Sequence, residues 1–431
     1  MRILVLGAYG FIGRALARRM VAAGHEVTGL GRSRAGQRLV PDIAWRSADI
    51  TRLSAASDWD EHLRGVDAVV NAAGALQDGA KDNVKAVHET AITALIEACE
   101  TQRITRFVQI SVPGATTGST GDFLRSKALA DRRLKQSHLD WTILRPGIVI
   151  GRDAYGGTAL LRMLAGFPLV QPLVCGNARL QTVALHEVAE IVLLAAAGDL
   201  PRHADFDLVE QQEHKLVDLV ARFRRWLGAA PAYAQIDVPT WVAAMLAAGA
   251  DVLGYLGWRA PLRSTALRIV AAGVVGDAKP LRDFLGRDLA SVDQTLAAMP
   301  ATIQERWFSR LYLVMPLMIA TLSLFWVASG VIALADIDAA AASLGAGSVA
   351  RTAAHSLVAG GAVVDIALGL GVLYRPWAKS ACAGMVTVTL VYLAAGTLLA
   401  PDLWGDPLGP YLKAIPAAVL AAITPAVLQE R

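Results

Sequence analysis

The fold of the N-terminal part of the chain is decided by the stretch Arg2-Ile3-Leu4-Val5-Leu6-Gly7-Ala8-Tyr9-Gly10-Phe11-Ile12-Gly13. An apolar run of strand length leads into a GxxGxxG loop at residues 7–13, and residues 11–23 continue with a helical pattern. In this strand–turn–helix context the glycines permit a tight turn, and backbone N–H groups approach a pyrophosphate at the helix N-terminus. The stretch therefore predicts a dinucleotide-binding loop that consists of Gly7, Ala8, Tyr9, Gly10, Phe11, Ile12 and Gly13.

Short apolar runs that favour strands recur over the next 140 residues. They lie at residues 26–30, 68–71, 107–110 and 141–144, and helical patterns such as residues 84–101 separate them. This alternation predicts an α/β domain with a doubly wound parallel sheet and helices on both faces, which is the Rossmann architecture.

The end of the second predicted strand bears on the choice of cofactor. Arg32 stands where NAD-specific folds place an acidic residue for the ribose hydroxyls. A guanidinium fits a 2′-phosphate, so we predict NADP in preference to NAD. The alternative is a solvated arginine in a basic loop that also contains Arg34 and Arg38.

The C-terminal part of the chain is far more apolar than the rest. Residues 311–335, 380–401 and 414–429 contain no charged side chain, and residues 352–374 contain only Asp365. At 1.5 Å per helical residue, about 20 residues cross a hydrocarbon core of about 30 Å. These stretches predict an all-α transmembrane four-helix bundle surrounded by membrane lipid.

Charges in the short loops predict how the bundle is oriented. Basic residues precede the first helix, occupy the second loop and end the chain, namely Arg306, Arg310, Arg375, Lys379 and Arg431. Acidic residues occupy the first and third loops, namely Asp336, Asp338, Asp402 and Asp406, although Arg351 and Lys413 lie at the edges of these loops. The positive-inside rule then places the N-terminal domain in the cytoplasm. We expect a multi-pass protein of the cytoplasmic (inner) membrane.

The remaining composition excludes several classes of protein. The 431 residues include 41 basic and 37 acidic side chains without a basic stripe, so we expect no nucleic-acid partner. Cys99, Cys175 and Cys382 stand far apart, which argues against a disulfide scaffold, and we predict no metal site.

The expected organisation is a nucleotide-binding domain (1–230), a connector and substrate-side helical region (231–305) and a membrane domain (306–431).

Further motifs in the first 230 residues resemble the atypical or extended short-chain dehydrogenase/reductase superfamily, in particular the branch with the nucleotide-binding accessory subunit of respiratory complex I. Besides the glycine loop, they are Ala48-Asp49-Ile50, Asn71-Ala72-Ala73-Gly74, Ser111, Lys127, and Leu144-Arg145-Pro146-Gly147 after the sixth strand. The resemblance implies that Asp49 and Ile50 meet the adenine and that Asn71, Ala72, Ala73 and Gly74 line the cofactor. It also implies that Pro146, Gly147 and Ile148 flank the nicotinamide.

The last 126 residues resemble the DoxX-like family of four-helix membrane proteins. The motifs are Asp365-Ile366-Ala367-Leu368-Gly369 and Trp404-Gly405-Asp406-Pro407-Leu408-Gly409-Pro410, and Gln304-Glu305-Arg306-Trp307 looks like a junction between fused domains. Some members are linked to quinone-dependent respiratory chemistry, so the resemblance implies a small-molecule or lipid-soluble, quinone-like substrate. We also expect Asp365 to point into the bundle and to meet a polar group of another helix or a bound headgroup.

One catalytic position departs from the superfamily pattern. Short-chain dehydrogenases use a YxxxK pair one helical turn apart, together with a serine that holds the substrate oxygen. Here Lys127 and Ser111 are present, but Phe123 occupies the position of the tyrosine. Tyr155, Asp122 or a bound water remain as alternative proton donors, and Ser111 and Lys127 are also expected to bind the nicotinamide ribose region.

Three functions follow, and one of them, a nucleotide-sugar epimerase or dehydratase, is weakened by Phe123. The other two come from different classes. The first is a membrane-anchored NAD(P)H-dependent oxidoreductase that acts on a lipid-soluble or quinone-like substrate. The second is a catalytically reduced NADPH-binding sensor or assembly module with a partner in a membrane complex, which Phe123 favours.

Overall fold

The structure is a computed structural model that describes residues 1–79, 83–119, 121–258, 260, 262–342, 351–399, 401–407 and 409–428. The chain divides into two compact units. The first consists of Met1–Asp251 and Pro261–Ser309, and the second of Val252–Ala260 and Arg310–Glu430. Arg431, which contributes to the predicted orientation, lies outside the described residues.

The strands of the first unit are β1 (Arg2–Leu6), β2 (Glu26–Leu30), β3 (Ala44–Arg46), β4 (Ala68–Asn71), β5 (Arg106–Ile110), β6 (Asp140–Pro146), β7 (Ile148–Ile150), β8 (Val170–Leu173), β9 (Arg179–Leu180), β10 (Thr182–Ala184), β11 (Ala204–Leu208), β12 (His214–Lys215) and β13 (Ala234–Asp237). The helices up to the membrane region are α1 (Phe11–Ala22), α2 (Arg34–Gln37), α3 (Asp60–Leu63), α4 (Ala91–Thr101), α5 (Asp122–Lys135), α6 (Gly156–Ala165), α7 (Leu185–Ala197), α8 (Leu216–Trp226), α9 (Thr240–Tyr255), α10 (Ser264–Ala272), α11 (Lys279–Leu285) and α12 (Val292–Ala297). A π-helical turn, Ala86–Thr90, leads into α4.

Seven strands form the parallel sheet that the sequence predicts. Their order is β11-β6-β5-β4-β1-β2-β3, so the chain reverses direction across the sheet between β1 and β4. In doubly wound sheets the ligand binds at the carboxyl ends of the strands beside this reversal. The Rossmann prediction is therefore confirmed, and it places the site at the ends of β1, β2 and β4.

The sheet carries one hydrophobic core on each face because side chains alternate along β1. Ile3 and Val5 pack with α1 and α7, whereas Leu4 and Leu6 pack with α4 and α5. A third core, around Phe223 of α8, joins α6 and α12 to the small two-stranded sheets beyond β6. The prediction that Leu144-Arg145-Pro146 follows the sixth strand is wrong, since β6 extends through Pro146 by pairing with β11.

The second unit contains long apolar helices. They are α13 (Ile303–Ala335, which begins in the first unit), α15 (Arg351–Gly371), α16 (Ala378–Leu399) and α17 (Pro410–Val427), with a short α14 (Ile337–Ala342) after the first. All four long helices are long and apolar enough to cross a membrane. The four predicted spans are confirmed as membrane-capable helices, including the last, which contains Pro416 and Pro425.

Candidate functional site

The loop between β1 and α1 has the shape of a phosphate cradle. Gly7 adopts a φ of +71°, and a Cβ there would lie 2.9 Å from the Ala72 carbonyl oxygen. A Cβ at Gly13 would lie 2.2 Å from the Gly7 carbonyl oxygen. Only glycine fits these two positions, and α1 starts immediately after Gly10, so its first-turn N–H groups point out of the helix end. The residues present fit a dinucleotide pyrophosphate.

Aromatic side chains border this cradle on two sides. The Tyr9 ring lies against Gly31 and Gly36, where any Cβ would approach within 2.7 Å of the ring. On the other side, Phe11 stacks on Tyr155 with ring centroids 5.8 Å apart. Tyr155 thus stands beside the glycine loop, and Phe11 ties it to the start of α1.

The predicted adenine-side residues meet each other. Arg32 Nη1 lies 3.4 Å from Asp49 Oδ2, and each side chain is about one-third exposed. Asp49 also accepts hydrogen bonds from the backbone N–H and the hydroxyl of Thr51. These bonds cap the start of a short 3₁₀ helix, Ile50–Arg52. Burial acts to raise the pKa of Asp49, but the bonds from Thr51 and the charge of Arg32 outweigh it and lower that pKa.

Asn71 shapes the loop after β4 from inside the protein. Its side-chain NH₂ group donates to Gln109 Oε1 (2.8 Å), and its side-chain oxygen Oδ1 accepts a hydrogen bond from the backbone N–H of Ala73 (3.1 Å). The Asn71 side chain is buried, whereas Ala72 and Ala73 are half-buried and Gly74 is exposed. Within the predicted set 71–74, the last three residues offer backbone surface, and Asn71 holds them in place.

The segment after β6 is fixed by backbone hydrogen bonds. The N–H of Gly147 donates to Leu208 and that of Ile148 donates to Gln181 (3.0 and 2.9 Å). A Cβ at Gly147 would lie 2.6 Å from the Gln181 carbonyl oxygen, and Pro146 is buried. The position of this segment at the end of β6 agrees with the predicted nicotinamide side, although the cofactor role of Pro146, Gly147 and Ile148 stays a prediction.

Lys127 is buried with its amine between two strand ends. Nζ donates to the carbonyl oxygens of Ile110 (2.9 Å) and Ala73 (3.3 Å), and the residue is 5% exposed. Burial lowers the pKa of Lys127 to about 8, although the nearby Asp131 acts to raise it. A Cβ at the exposed Gly74 would lie 3.9 Å from Nζ, so the amine sits just below the open surface of this loop.

Ser111 forms a buried pair that the motif did not predict. Its hydroxyl donates to Asp131 Oδ2 (2.7 Å), and Arg145 Nη2 donates to the same oxygen (3.2 Å). Burial raises the pKa of Asp131 despite these two donors and the charge of Lys127. The signal for Asp131 was its position four residues after Lys127, on the same face of α5.

Phe123 packs on the buried imidazole of His88, a residue that the sequence analysis did not identify. Its ring meets the His88 imidazole edge-on, with centroids 5.5 Å apart. Burial, reinforced by the charge of Lys127, lowers the pKa of His88 well below its usual range, so the ring is neutral. Nε2 accepts the N–H of Ala75 (3.0 Å), which leaves the proton on Nδ1, 3.1 Å from the Ser126 hydroxyl. His88 therefore supports the loop after β4.

The alternative proton donors do not gather at Phe123. Tyr155 is stacked on Phe11 beside the glycine loop, and Asp122 is an exposed side chain that pairs with Arg125 at 2.5 Å. Among the described residues, no group of three or more histidine, cysteine, aspartate or glutamate side chains has the arrangement of a metal site. The site that the fold assembles is thus a cofactor cradle with a buried Ser111–Asp131 pair and Lys127 beside it.

Asp365 is the polar centre of the second unit, and its predicted inward orientation is confirmed. It is 6% exposed and accepts hydrogen bonds from Ser329 of α13 and Tyr392 of α16, both at 3.1 Å. A Cβ at Gly361 would lie 2.7 Å from the Tyr392 hydroxyl, and one at Gly369 would lie 2.9 Å from the backbone of α13. The small residues let both neighbouring helices reach the carboxylate.

Comparison with known families yields two matches in one chain. Residues 7–163 match an NAD(P)H-binding family, and residues 323–422 match the DoxX-like family. Among curated proteins, a UPF0659 protein of Saccharomyces cerevisiae is 30% identical over 175 residues, which are 38% of this chain and 75% of the yeast protein.

Two other relatives are covered over little more than half their length. An uncharacterized chloroplastic protein of Arabidopsis thaliana is 27% identical over 39% of this chain and 57% of its own. The 2-alkyl-3-oxoalkanoate reductase of Stenotrophomonas maltophilia is 28% identical over 35% of this chain and 52% of its own.

Solved structures share the fold. The Bordetella bronchiseptica enzyme WbmG in complex with NAD superposes with a TM-score of 0.53 at 18% identity, over 72% of this chain and 96% of that chain. The UDP-glucose 4-epimerase of Thermotoga maritima gives a TM-score of 0.53 at 15% identity, and the superposition covers 72% of this chain and 99% of that chain. At this level of identity the comparison shows that the chain shares the fold of these enzymes.

Proposed function

Because this chain belongs to the NAD(P)H-binding family and carries a DoxX-like domain at its C-terminal end, we propose that it is a membrane-anchored NAD(P)H-dependent oxidoreductase whose substrate is a lipid-soluble, quinone-like carbonyl compound. NAD(P)H held in the cradle would supply a hydride to the carbonyl compound, and one proton from water completes the alcohol or quinol. The glycine loop holds the pyrophosphate, and the loop after β4 borders the reactive end.

Phe123 is the observation that carries the choice of substrate class. General acid–base catalysis contributes about 10²–10⁴-fold, and a phenyl ring has no proton to give. A simple ketone becomes a strongly basic alkoxide when it accepts hydride, so it needs such a donor. A quinone or a conjugated carbonyl compound spreads the new negative charge over several atoms and then takes its proton from water. Phe123, packed on the neutral His88, suits the second kind of acceptor.

Two further observations support a lipid-soluble substrate. The cofactor-binding family match and the four membrane-capable helices occur in one chain, so the cofactor-binding domain is covalently joined to a membrane domain. One relative is by name a reductase of 2-alkyl-3-oxoalkanoates, whose apolar alkyl groups support an apolar substrate, although their unconjugated keto group is not a quinone-like acceptor. As the cofactor we propose NADP, because Arg32 lies beside the predicted adenine residue Asp49 with about a third of its side chain exposed.

The direct test is NADPH oxidation by the full chain in lipid nanodiscs. We expect turnover with a short-chain ubiquinone analogue and little turnover with a saturated ketone of similar size. Gly13→Ala should abolish cofactor binding, since the new Cβ would collide with the Gly7 carbonyl. Gly249→Ala is the matched control, because a Cβ there meets nothing within 4 Å. Equal turnover of the ketone would reject the substrate class.

The second candidate function is an NADPH sensor or assembly module with a partner in a membrane complex. It is favoured by the buried Ser111 and Lys127, whose polar atoms are engaged by Asp131 and by two backbone carbonyls. This alternative predicts stoichiometric NADPH binding without oxidation by any acceptor, and co-purification of a membrane protein partner.

The proposed orientation has its own test. In this proposal the N-terminal domain and the loop at Arg375 and Lys379 face the cytoplasm, whereas the loop at Asp402 and Asp406 faces the other side. A cytoplasm-active reporter inserted after Arg375 should be active, and the same reporter after Asp402 should be silent. The reverse pattern would overturn the orientation.

A further inference from the structure

Helix α9 presents large apolar side chains to the outside and small ones to the protein. Trp241, Met245 and Leu246 are 66%, 67% and 61% exposed, whereas Ala243 and Ala247 are buried. An ordinary surface helix of a soluble domain shows the opposite pattern, with a polar outer face. Helix α8 follows that rule, because the charged Asp218 and Arg225 occupy exposed positions there. The outer face of α9 therefore lacks the polar groups that water would solvate.

The single charged residue of α9 is turned away from this outer face. Asp251 accepts hydrogen bonds from Gln77 Nε2 (2.6 Å), Arg263 Nε (3.2 Å) and the backbone N–H of Ser264 (3.3 Å). These donors outweigh the effect of burial and lower the pKa of Asp251, so the carboxylate stays charged inside this cluster. A charged side chain inside a bilayer is costly, so Asp251 argues against a membrane-spanning α9. The same charge anchors the helix to the first unit.

The chain that continues from α9 belongs to the second unit, which contains the membrane-capable helices. Residues Val252–Ala260 are part of the second unit, where the Trp258 indole donates to the Leu373 carbonyl (2.6 Å) and the Arg375 guanidinium lies 5.6 Å from the Trp258 ring centre. Leu373 and Arg375 lie in the turn between α15 and α16, which is the end of two membrane-capable helices. Tryptophan and arginine are typical of the headgroup level of a bilayer.

From these observations we propose that the outer face of α9, formed by Trp241, Met245 and Leu246, is a membrane-contact surface that lies in the interfacial layer of the lipid bilayer. The occupant is lipid, because the helix leads directly into a segment held at the end of two membrane-capable helices, and because its exposed side chains are apolar with a tryptophan among them. Helices of this kind bury their apolar face about 5–10 Å into the headgroup boundary. The surface is independent of the proposed reaction.

Site-directed spin labelling of the full chain tests this surface. The label is placed at Met245→Cys, after the three native cysteines are replaced by alanine, and the protein is reconstituted in nanodiscs of phosphatidylcholine and phosphatidylglycerol. We expect a several-fold higher ratio of oxygen to water-soluble nickel-complex accessibility at Met245→Cys than at Ala221→Cys. Ala221 is an exposed position on α8 and serves as the matched control.

Two results would overturn the proposal. High nickel accessibility at Met245→Cys, equal to that of Ala221→Cys, would show a face in water. Low accessibility to both reagents, with disulfide cross-linking between copies, would show that a second copy of the chain covers the face instead of lipid. Repeating the measurement at Trp241→Cys keeps the test decisive if one labelled variant fails to fold.

Discussion

The affinity for NADPH should fall as the pH rises through about 8, because Lys127 loses its proton there. A protonated amine has three N–H groups, and a neutral one has two. Two N–H groups of Lys127 are taken by the carbonyl oxygens of Ala73 and Ile110. A third N–H for the ribose of the cofactor therefore exists only while Lys127 is charged. We expect this loss of one charge-assisted hydrogen bond to weaken binding.

The size of the effect follows from the pKa and the energy of one bond. Burial lowers the pKa of Lys127 to about 8, so at pH 9 only about one site in ten is protonated. A hydrogen bond to a charged group contributes about 1.5–3 kcal/mol, which corresponds to roughly 10–100-fold in affinity. NADPH binding should thus be about tenfold weaker at pH 9 than at pH 7, and binding at high pH should take up protons.

Isothermal titration calorimetry of the full chain in nanodiscs measures both quantities between pH 7 and 9.5. This range lies above the pKa of about 6 expected for the cofactor's 2′-phosphate, so the ligand does not titrate. Lys127→Met is the control, because its affinity should be low and independent of pH. A thermal melt at each pH verifies that the variant is folded. If wild type and Lys127→Met lose affinity in parallel, or if neither loses any, Lys127 does not contact the cofactor and the reasoning is refuted.

Three further predictions concern the remaining polar positions. Arg32→Ala should lower the preference for NADPH over NADH by roughly 10–100-fold, the effect of one charge-assisted phosphate contact, and equal affinities in the unmodified protein would contradict it. Phe123→Tyr should raise the reduction of saturated ketones about tenfold or more, because Lys127 lies one turn away on α5, and a rate that does not change would show that the ketone cannot reach this position. Asp365→Leu should lower the thermal stability of the detergent-solubilised protein, since the Ser329 and Tyr392 hydroxyls lose their acceptor at a cost of about 1 kcal/mol. Asp365→Asn should keep most of the stability, because its amide oxygen still accepts a hydrogen bond. A Leu variant as stable as wild type would contradict the structural role of Asp365.

The sequence by itself determined the strands and helices that form the fold and the class of cofactor, a nicotinamide dinucleotide. The apolar run before Gly7, the glycine spacing and the alternation of strand and helix patterns are local signals, because each depends on neighbouring residues and on one periodicity. The same holds for the four long apolar helices, whose length matches a bilayer without reference to other residues. Phe123 was also visible, since the YxxxK spacing lies within one helical turn.

Only the tertiary structure decided which polar groups meet. Ser111 and Asp131 are 20 residues apart, His88 and Ser126 are 38 apart, and Asp365 meets partners 27 and 36 residues away. Likewise, the residues of α9 are mostly apolar, but the outward direction of Trp241 depended on how the helix packs. Partners of this kind depend on which strands and helices become neighbours, and a hydrogen bond carries no periodic signal along the chain. The physical reason is that burial and hydrogen bonding are settled by the three-dimensional neighbours of a side chain, whereas helix and strand patterns are settled by its neighbours in sequence.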